Sequence, residues 1–253
     1  MTAACAALVQ RGDPDRFAAA MAAPPTAREA LFILYAFNLE VARAPWVSKE
    51  PMIAEMRLQW WRDVVAETAP RAHEVAGPLH GLIAWAGLPL EVLDRLIAAR
   101  RWDIYRDAFE DRAAFDAYID DTAGGLMWLA ARALGAPDGV EAIVRDYAWA
   151  AGLAAFLRAV PGLEERGCKP LVDGRPGAVA ALATEGLARL AMARAGRKGL
   201  PKELVPALLA GWQTESLLGL VVADPMCVAE GRMETSEFSR RGRLLWQAFS
   251  GRW

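Results

Sequence analysis

Two stretches of this chain are apolar on every side of a helix. One is Ala30-Leu31-Phe32-Ile33-Leu34-Tyr35-Ala36-Phe37, and the other runs from Tyr147 to Leu157. A surface helix confines its apolar residues to one stripe, so a helix without a polar face has to be surrounded by other structure. Two such segments in a chain of 253 residues imply a bundle with an inner layer. They either pack directly or line a cavity. Gly152, Ala154 and Ala155 would let a neighbouring helix approach closely. No run alternates apolar and polar residues at period two, and β-branched residues are sparse. The fold class expected is therefore all-α.

Local signals place the helices. Asp13-Pro14 reads as an N-cap followed by proline at the first helical position. Thr26-Ala27-Arg28-Glu29 reads as a capping box that opens a helix to about Arg43. Pro51 starts a helix through Glu67, and Pro89 opens one from Leu90 to Asp107. Further helices are expected over Ala113–Leu134, Gly139–Val160, Ala178–Ala195, Lys202–Ala223 and Ser236–Ala248. No repeat and no shift in composition divides the chain. A single helical domain over residues 1–253 is expected, with 236–253 as a basic and aromatic C-terminal helix.

Charge and cysteines exclude several classes. Lys and Arg number 29 against 31 Asp and Glu, a net charge of −2, so no basic face is expected for nucleic acid. Cys5, Cys168 and Cys227 have no CxxC spacing and read as free thiols in a reducing compartment. Met1–Gln10 lacks the basic start of a secretory signal. No stretch reaches the ~20 apolar residues of a membrane span. The best candidate, Leu204–Val222, is interrupted by Gln213 and Glu215. A cytoplasmic protein is expected, or one peripheral at the inner face of the membrane. Ser236–Trp253 interleaves Arg240, Arg241, Arg243 and Arg252 with Phe238, Trp246 and Phe249. That pattern suits a membrane headgroup region, or a terminal helix that packs its aromatics on the domain.

Candidate polar sites are few. Asp103 and Asp107 stand at i,i+4 on one expected helix, and Asp116 and Asp120 on the next. They form either a metal site or a solvated hairpin end balanced by Arg100, Arg101, Arg106 and Arg112. His73 and His80, seven apart, are expected on one helix face with no third ligand. Trp60-Trp61 between Arg57 and Arg62 reads as core packing with a snorkelling arginine face.

Three motifs carry a family resemblance. They are Tyr35-Ala36-Phe37, the Tyr118–Gly124 stretch with Thr122-Ala123-Gly124, and Phe156-Leu157-Arg158 ahead of Arg166-Gly167. In order and spacing they resemble the squalene/phytoene synthases, head-to-head prenyl transferases of the isoprenoid synthase fold. The resemblance runs from about Asp13 to Leu171, and more weakly to Ala223. It implies an all-α bundle with an apolar central cavity, lined by substrate-contacting residues at Tyr35, Asp103, Tyr118 and Arg158.

The resemblance breaks where the chemistry sits. In active members the helix with Tyr-Ala-Phe continues into an Asp-Asp-x-x-Asp motif; here that window reads Ala42-Arg43-Ala44-Pro45-Trp46. A second aspartate motif follows the family's Asn-x-x-Arg; here Arg158 matches, followed by Ala159-Val160-Pro161-Gly162-Leu163. The family's Ser-x-Ser falls at Asp13-Pro14-Asp15. Prenyl coupling ionises a diphosphate whose charge Mg²⁺ neutralises, and Mg²⁺ takes hard oxygen ligands. Alanine, leucine, tryptophan and proline side chains supply none. Pro45 and Pro161 are further expected to disturb or end their helices.

The resemblance thus implies a degenerate member that acts by binding and needs no cofactor. It is similar to the family's aspartate-lacking branch, the mitochondrial respiratory complex I assembly factors. The implied ligand is an isoprenoid or lipid, or a partner in respiratory-complex assembly. The rival reading is an active prenyl transferase with displaced Mg²⁺ ligands at Asp103 and Asp107. The direction in which Asp103, Asp107, Asp116 and Asp120 point separates the two.

Overall fold

A computed structural model describes residues 2–67 and 69–253. The chain begins as α1 (Thr2–Gly12) and α2 (Pro14–Ala22). Asp13 separates them: its side chain accepts the Arg16 N–H at 2.9 Å, and Pro14 takes the first helical position. Next comes α3 (Pro25–Arg43), along which every residue from Ala30 to Asn38 is buried. The expected capping box at Thr26 does not form. Pro25 starts the helix, because its fixed φ and missing N–H suit that position, and Thr26 falls inside. At its far end α3 tightens into a 3₁₀ turn over Ala44–Trp46, around Pro45.

Three of the expected long helices are broken, two of them in the middle of the chain. After α4 (Pro51–Ala66) and α5 (Ala76–Ala86), the segment from Leu90 divides into α6 (Leu90–Ala99) and α7 (Arg101–Tyr105). It stops before Asp107 because Arg106 takes the left-handed backbone, φ +60°. The next divides into α8 (Arg112–Ile119), a π-helical turn over Asp120–Gly124, and α9 (Gly125–Ala133).

The second apolar segment lies in α10 (Glu141–Glu165), paired along its length with α11 (Pro176–Ala195). Pro161, expected to disturb or end its helix, does not end α10. A proline deletes one intrahelical donor, and here the helix carries on to Glu165 regardless. The Lys202–Ala223 stretch is long and apolar enough to span a membrane, yet 61% of its apolar window is buried inside the protein. It is also discontinuous: α12 (Val205–Leu208), a 3₁₀ turn, then α13 (Thr214–Ala223). The chain closes with α14 (Met226–Ala229) and α15 (Glu237–Ser250), capped by Ser236. No strand occurs among the described residues.

The inner layer is α3, α9 and α10. Helix α3 packs on α1, α2, α5 and α9; α10 packs on α9, α11, α13 and α14. Gly152 lets α10 touch the π turn. A Cβ there would lie 2.4 Å from the Ala123 Cβ and 3.0 Å from Ile119 Cγ2. All three cysteines are free and buried.

Candidate functional site

Between α3 and α10 the bundle leaves a cleft of about 80 Å³. Its inner wall is apolar, from Ala123, Leu126, Met127, Ala151 and Leu217. Tyr35 reaches it from α3 and Arg158 from α10. The Tyr35 hydroxyl is buried without a hydrogen-bond partner among the described residues, and burial raises its pKa. The mouth is charged. Asp13 holds Arg16 at 2.7 Å, and Asp15 holds Arg158 at 3.0 Å and also pairs with Arg240 of α15. Burial pushes the Asp15 pKa up, but Arg158, Gln213 and Arg240 outweigh it and hold the carboxyl below its ordinary value. Pockets that enclose organic ligands measure roughly 300–1,000 Å³. The space in this cleft lies below that range.

Asp103 and Tyr118 lie elsewhere, in a network that does not line this cleft. Asp103 is buried, 3% exposed. It accepts the Tyr118 hydroxyl at 3.1 Å and pairs with Arg100 at 3.6 Å. Arg100 also donates to Tyr118 at 3.0 Å and reaches Asn38 on α3 at 3.5 Å. Burial raises the Asp103 pKa, with Arg100 and Tyr118 opposing it. Trp102 stacks on Phe109, and Tyr118, Phe115 and Phe156 close an aromatic cluster around them. Asp103 is satisfied by protein groups and ties α7 to α8.

The other acidic residues do not join it. Asp107 is exposed beyond the left-handed Arg106, so the expected i,i+4 pair with Asp103 does not exist. Asp116 pairs with Arg112 at 2.9 Å, and Asp120 with Arg145 at 2.9 Å. Among the described residues no three of His, Cys, Asp and Glu gather closely enough to hold a metal ion. The histidines do not share a helix face either. His73 precedes α5 and accepts the Val75 and Ala76 N–H groups, while His80 lies within α5 against the Glu67 carbonyl oxygen. Trp61 is buried beside Trp60 and His73, as core.

The end of the first window that lacks aspartates meets the chain just beyond the second. Trp46, closing the first window, packs under the guanidinium of Arg166, which follows the second, at 4.7 Å. Arg106 also stacks on Trp46, at 5.4 Å, and donates to the Arg166 carbonyl oxygen at 3.0 Å. Neither arginine has a carboxylate within ion-pair distance among the described residues. A divalent cation needs anionic oxygen donors, and this junction presents two guanidinium groups instead. The residues present do not fit Mg²⁺. Sequence reasoning missed this cluster, although Trp46 closed the first window and Arg166 stood in the Arg166-Gly167 motif. Nothing local marks that they meet.

Comparison with known proteins identifies the fold and the family. Over 99% of this chain and 95% of the other, the fold superposes on a dehydrosqualene synthase solved with ligand, with a TM-score of 0.82 at 15% identity. It also superposes on squalene synthase HpnC from Alicyclobacillus acidocaldarius, with a TM-score of 0.73 at 18% identity, covering 91% and 94%. In sequence the chain is 29% identical over 179 residues to the Drosophila melanogaster homolog of NADH dehydrogenase (ubiquinone) complex I, assembly factor 6, covering 66% of this chain and 53% of that one. The Homo sapiens assembly factor 6 is 25% identical over 161 residues, covering 62% and 48%. The chain thus spans about half the length of these curated relatives. The squalene/phytoene synthase profile matches residues 9–171, from α1 through α10 and past Arg166, and the chain belongs to that family.

Proposed function

We propose that this protein is a catalytically degenerate member of its family that acts by binding, as a factor in the assembly of respiratory complex I. The observation that carries the reading is the junction of Trp46, Arg106 and Arg166, where two arginines stand with no carboxylate at ion-pair distance among the described residues, the buried Asp103 lying near enough only to feel the charge of Arg166. The relatives named as complex I assembly factors support the biological role. The size of the cleft favours a partner protein over a prenyl chain in the interior. An apolar surface beside α4 supports the same choice: Met52 is 75% and Met56 66% exposed next to a groove of about 680 Å³. No cofactor is needed for such a role. The rival, prenyl transfer with relocated metal ligands at Asp103 and Asp107, has less support, since one is ion-paired inside and the other faces solvent.

The test has two arms. The pure protein incubated with Mg²⁺ and farnesyl or geranylgeranyl diphosphate should release no diphosphate. Turnover abolished by Asp103→Ala would overturn the proposal. In the host, loss of the gene should deplete assembled complex I on native gels, and the wild-type gene should restore it. Normal complex I without the gene refutes the assembly role.

A further inference from the structure

Helix α15 is fastened to the body on one face only. Leu244 and Gln247 are buried, Arg240 pairs with Asp15, and Arg243 reaches Glu215 at 3.5 Å. The opposite face is apolar and open. Phe238 is 91% exposed, Leu245 71%, Phe249 92% and Trp246 53%. At 100° per residue Phe238, Leu245 and Phe249 fall on one stripe, with Trp246 at its margin. Thus the helix does not pack its aromatics on the domain. It displays them.

One flank is strongly cationic, with Arg194, Arg197, Arg243 and Arg252 against Glu215, and the other carries Lys202 beside Glu203. The helix forms a ridge between two grooves, of about 870 and 640 Å³. Lys202 lines the first, together with Trp85, itself 76% exposed. Arg197 and Arg252 line the second. None of these three cations has a carboxylate within ion-pair distance among the described residues. A protein-binding patch tends to be depleted of charge at its core and rimmed by polar groups of both signs. Protruding aromatic and aliphatic side chains, bordered on one side by a net excess of cations that includes the unpaired Arg197 and Arg252, match an anionic lipid surface instead.

We propose that α15 is a membrane-contact helix, with Phe238, Leu245, Trp246 and Phe249 entering the headgroup–acyl boundary and Arg197, Lys202 and Arg252 meeting anionic headgroups. The surface is independent of the cleft and of the Trp46 junction. It would hold the protein against the bilayer whatever its partner.

The test uses the full chain, because Trp253 is buried against Tyr147 and truncation would open the core. Flotation with vesicles of phosphatidylcholine alone, or with phosphatidylglycerol added, measures partitioning. The wild type should bind the anionic vesicles and bind less as salt rises. Phe238→Ser with Phe249→Ser should weaken binding roughly tenfold or more, with an unchanged melting temperature. Arg197→Glu with Arg252→Glu should remove the preference for phosphatidylglycerol. A wild type that stays off anionic vesicles overturns the proposal and leaves the patch to a protein. Equal binding by the Phe238/Phe249 variant, or a lipid preference that survives the charge reversals, overturns it as well.

Discussion

Replacing Asp103 by alanine separates a structural carboxylate from a catalytic one. Asp103 is 3% exposed and its partner Arg100 is also largely enclosed, with a side chain 16% exposed. Removing one member of a buried pair costs about 3–5 kcal/mol, because the other charge remains without compensation. Arg100 keeps the Tyr118 hydroxyl and a contact to Asn38. Those contacts and its partial exposure put the expected loss near the lower end, about 3 kcal/mol. For a domain of this size that is roughly 6–12 °C in melting temperature. Urea unfolding followed by circular dichroism gives the value. The triple variant Arg100→Met, Asp103→Leu, Tyr118→Phe should recover most of it, since an apolar set of similar volume leaves neither a charge nor the Tyr118 hydroxyl without a partner. Added Mg²⁺ should move neither curve. An alanine variant as stable as the wild type, or a wild type stabilised by Mg²⁺ only while Asp103 is present, refutes the reasoning.

Two further outcomes follow from the packing and the charge. Gly152→Ala should cost about 1–3 kcal/mol in a urea melt, because its methyl group would meet Ala123 Cβ at 2.4 Å. A neutral result would mean that α10 and the π turn are not in contact. Asp15→Asn should lower stability by about 1–2 kcal/mol near neutral pH, since Asp15 binds two half-exposed arginines. The sign with pH is set by the lowered folded pKa. The stabilisation from Asp15 is present above the ordinary aspartate value of about 3.9 and fades as the pH falls through the folded value. The two proteins should therefore converge in acid. A gap that stays constant down to the lowest folded pH contradicts it.

Much of the architecture was legible in the residues because its signals are local. The all-round apolar runs of α3 and α10 demanded enclosure; the first proved buried throughout, and the second except at Ala151 and Ala155, which line the cleft. Asp13-Pro14 opened α2 where the cap chemistry required. The windows without aspartates could be read directly, since a side chain without oxygen binds no Mg²⁺ in any fold. The breaks were not legible. Arg106 leaves the helix through a left-handed backbone that its type does not favour, and a π turn interrupts an otherwise helical run at Asp120–Gly124.

What the residues alone determined, then, is the helical class, the two central helices and the loss of the metal ligands. Only the tertiary structure decided where the remaining charges go. Asp15 and Arg240 are 225 residues apart, and Trp46 joins Arg106 and Arg166 across three chain segments. Asp103 and Asp107 had the same spacing as any i,i+4 pair, yet the structure buries one against Arg100 and leaves the other in water. The reason is physical. Periodicity and caps depend on neighbours within one or two turns, whereas the partner of a charge depends on which helices the core brings side by side.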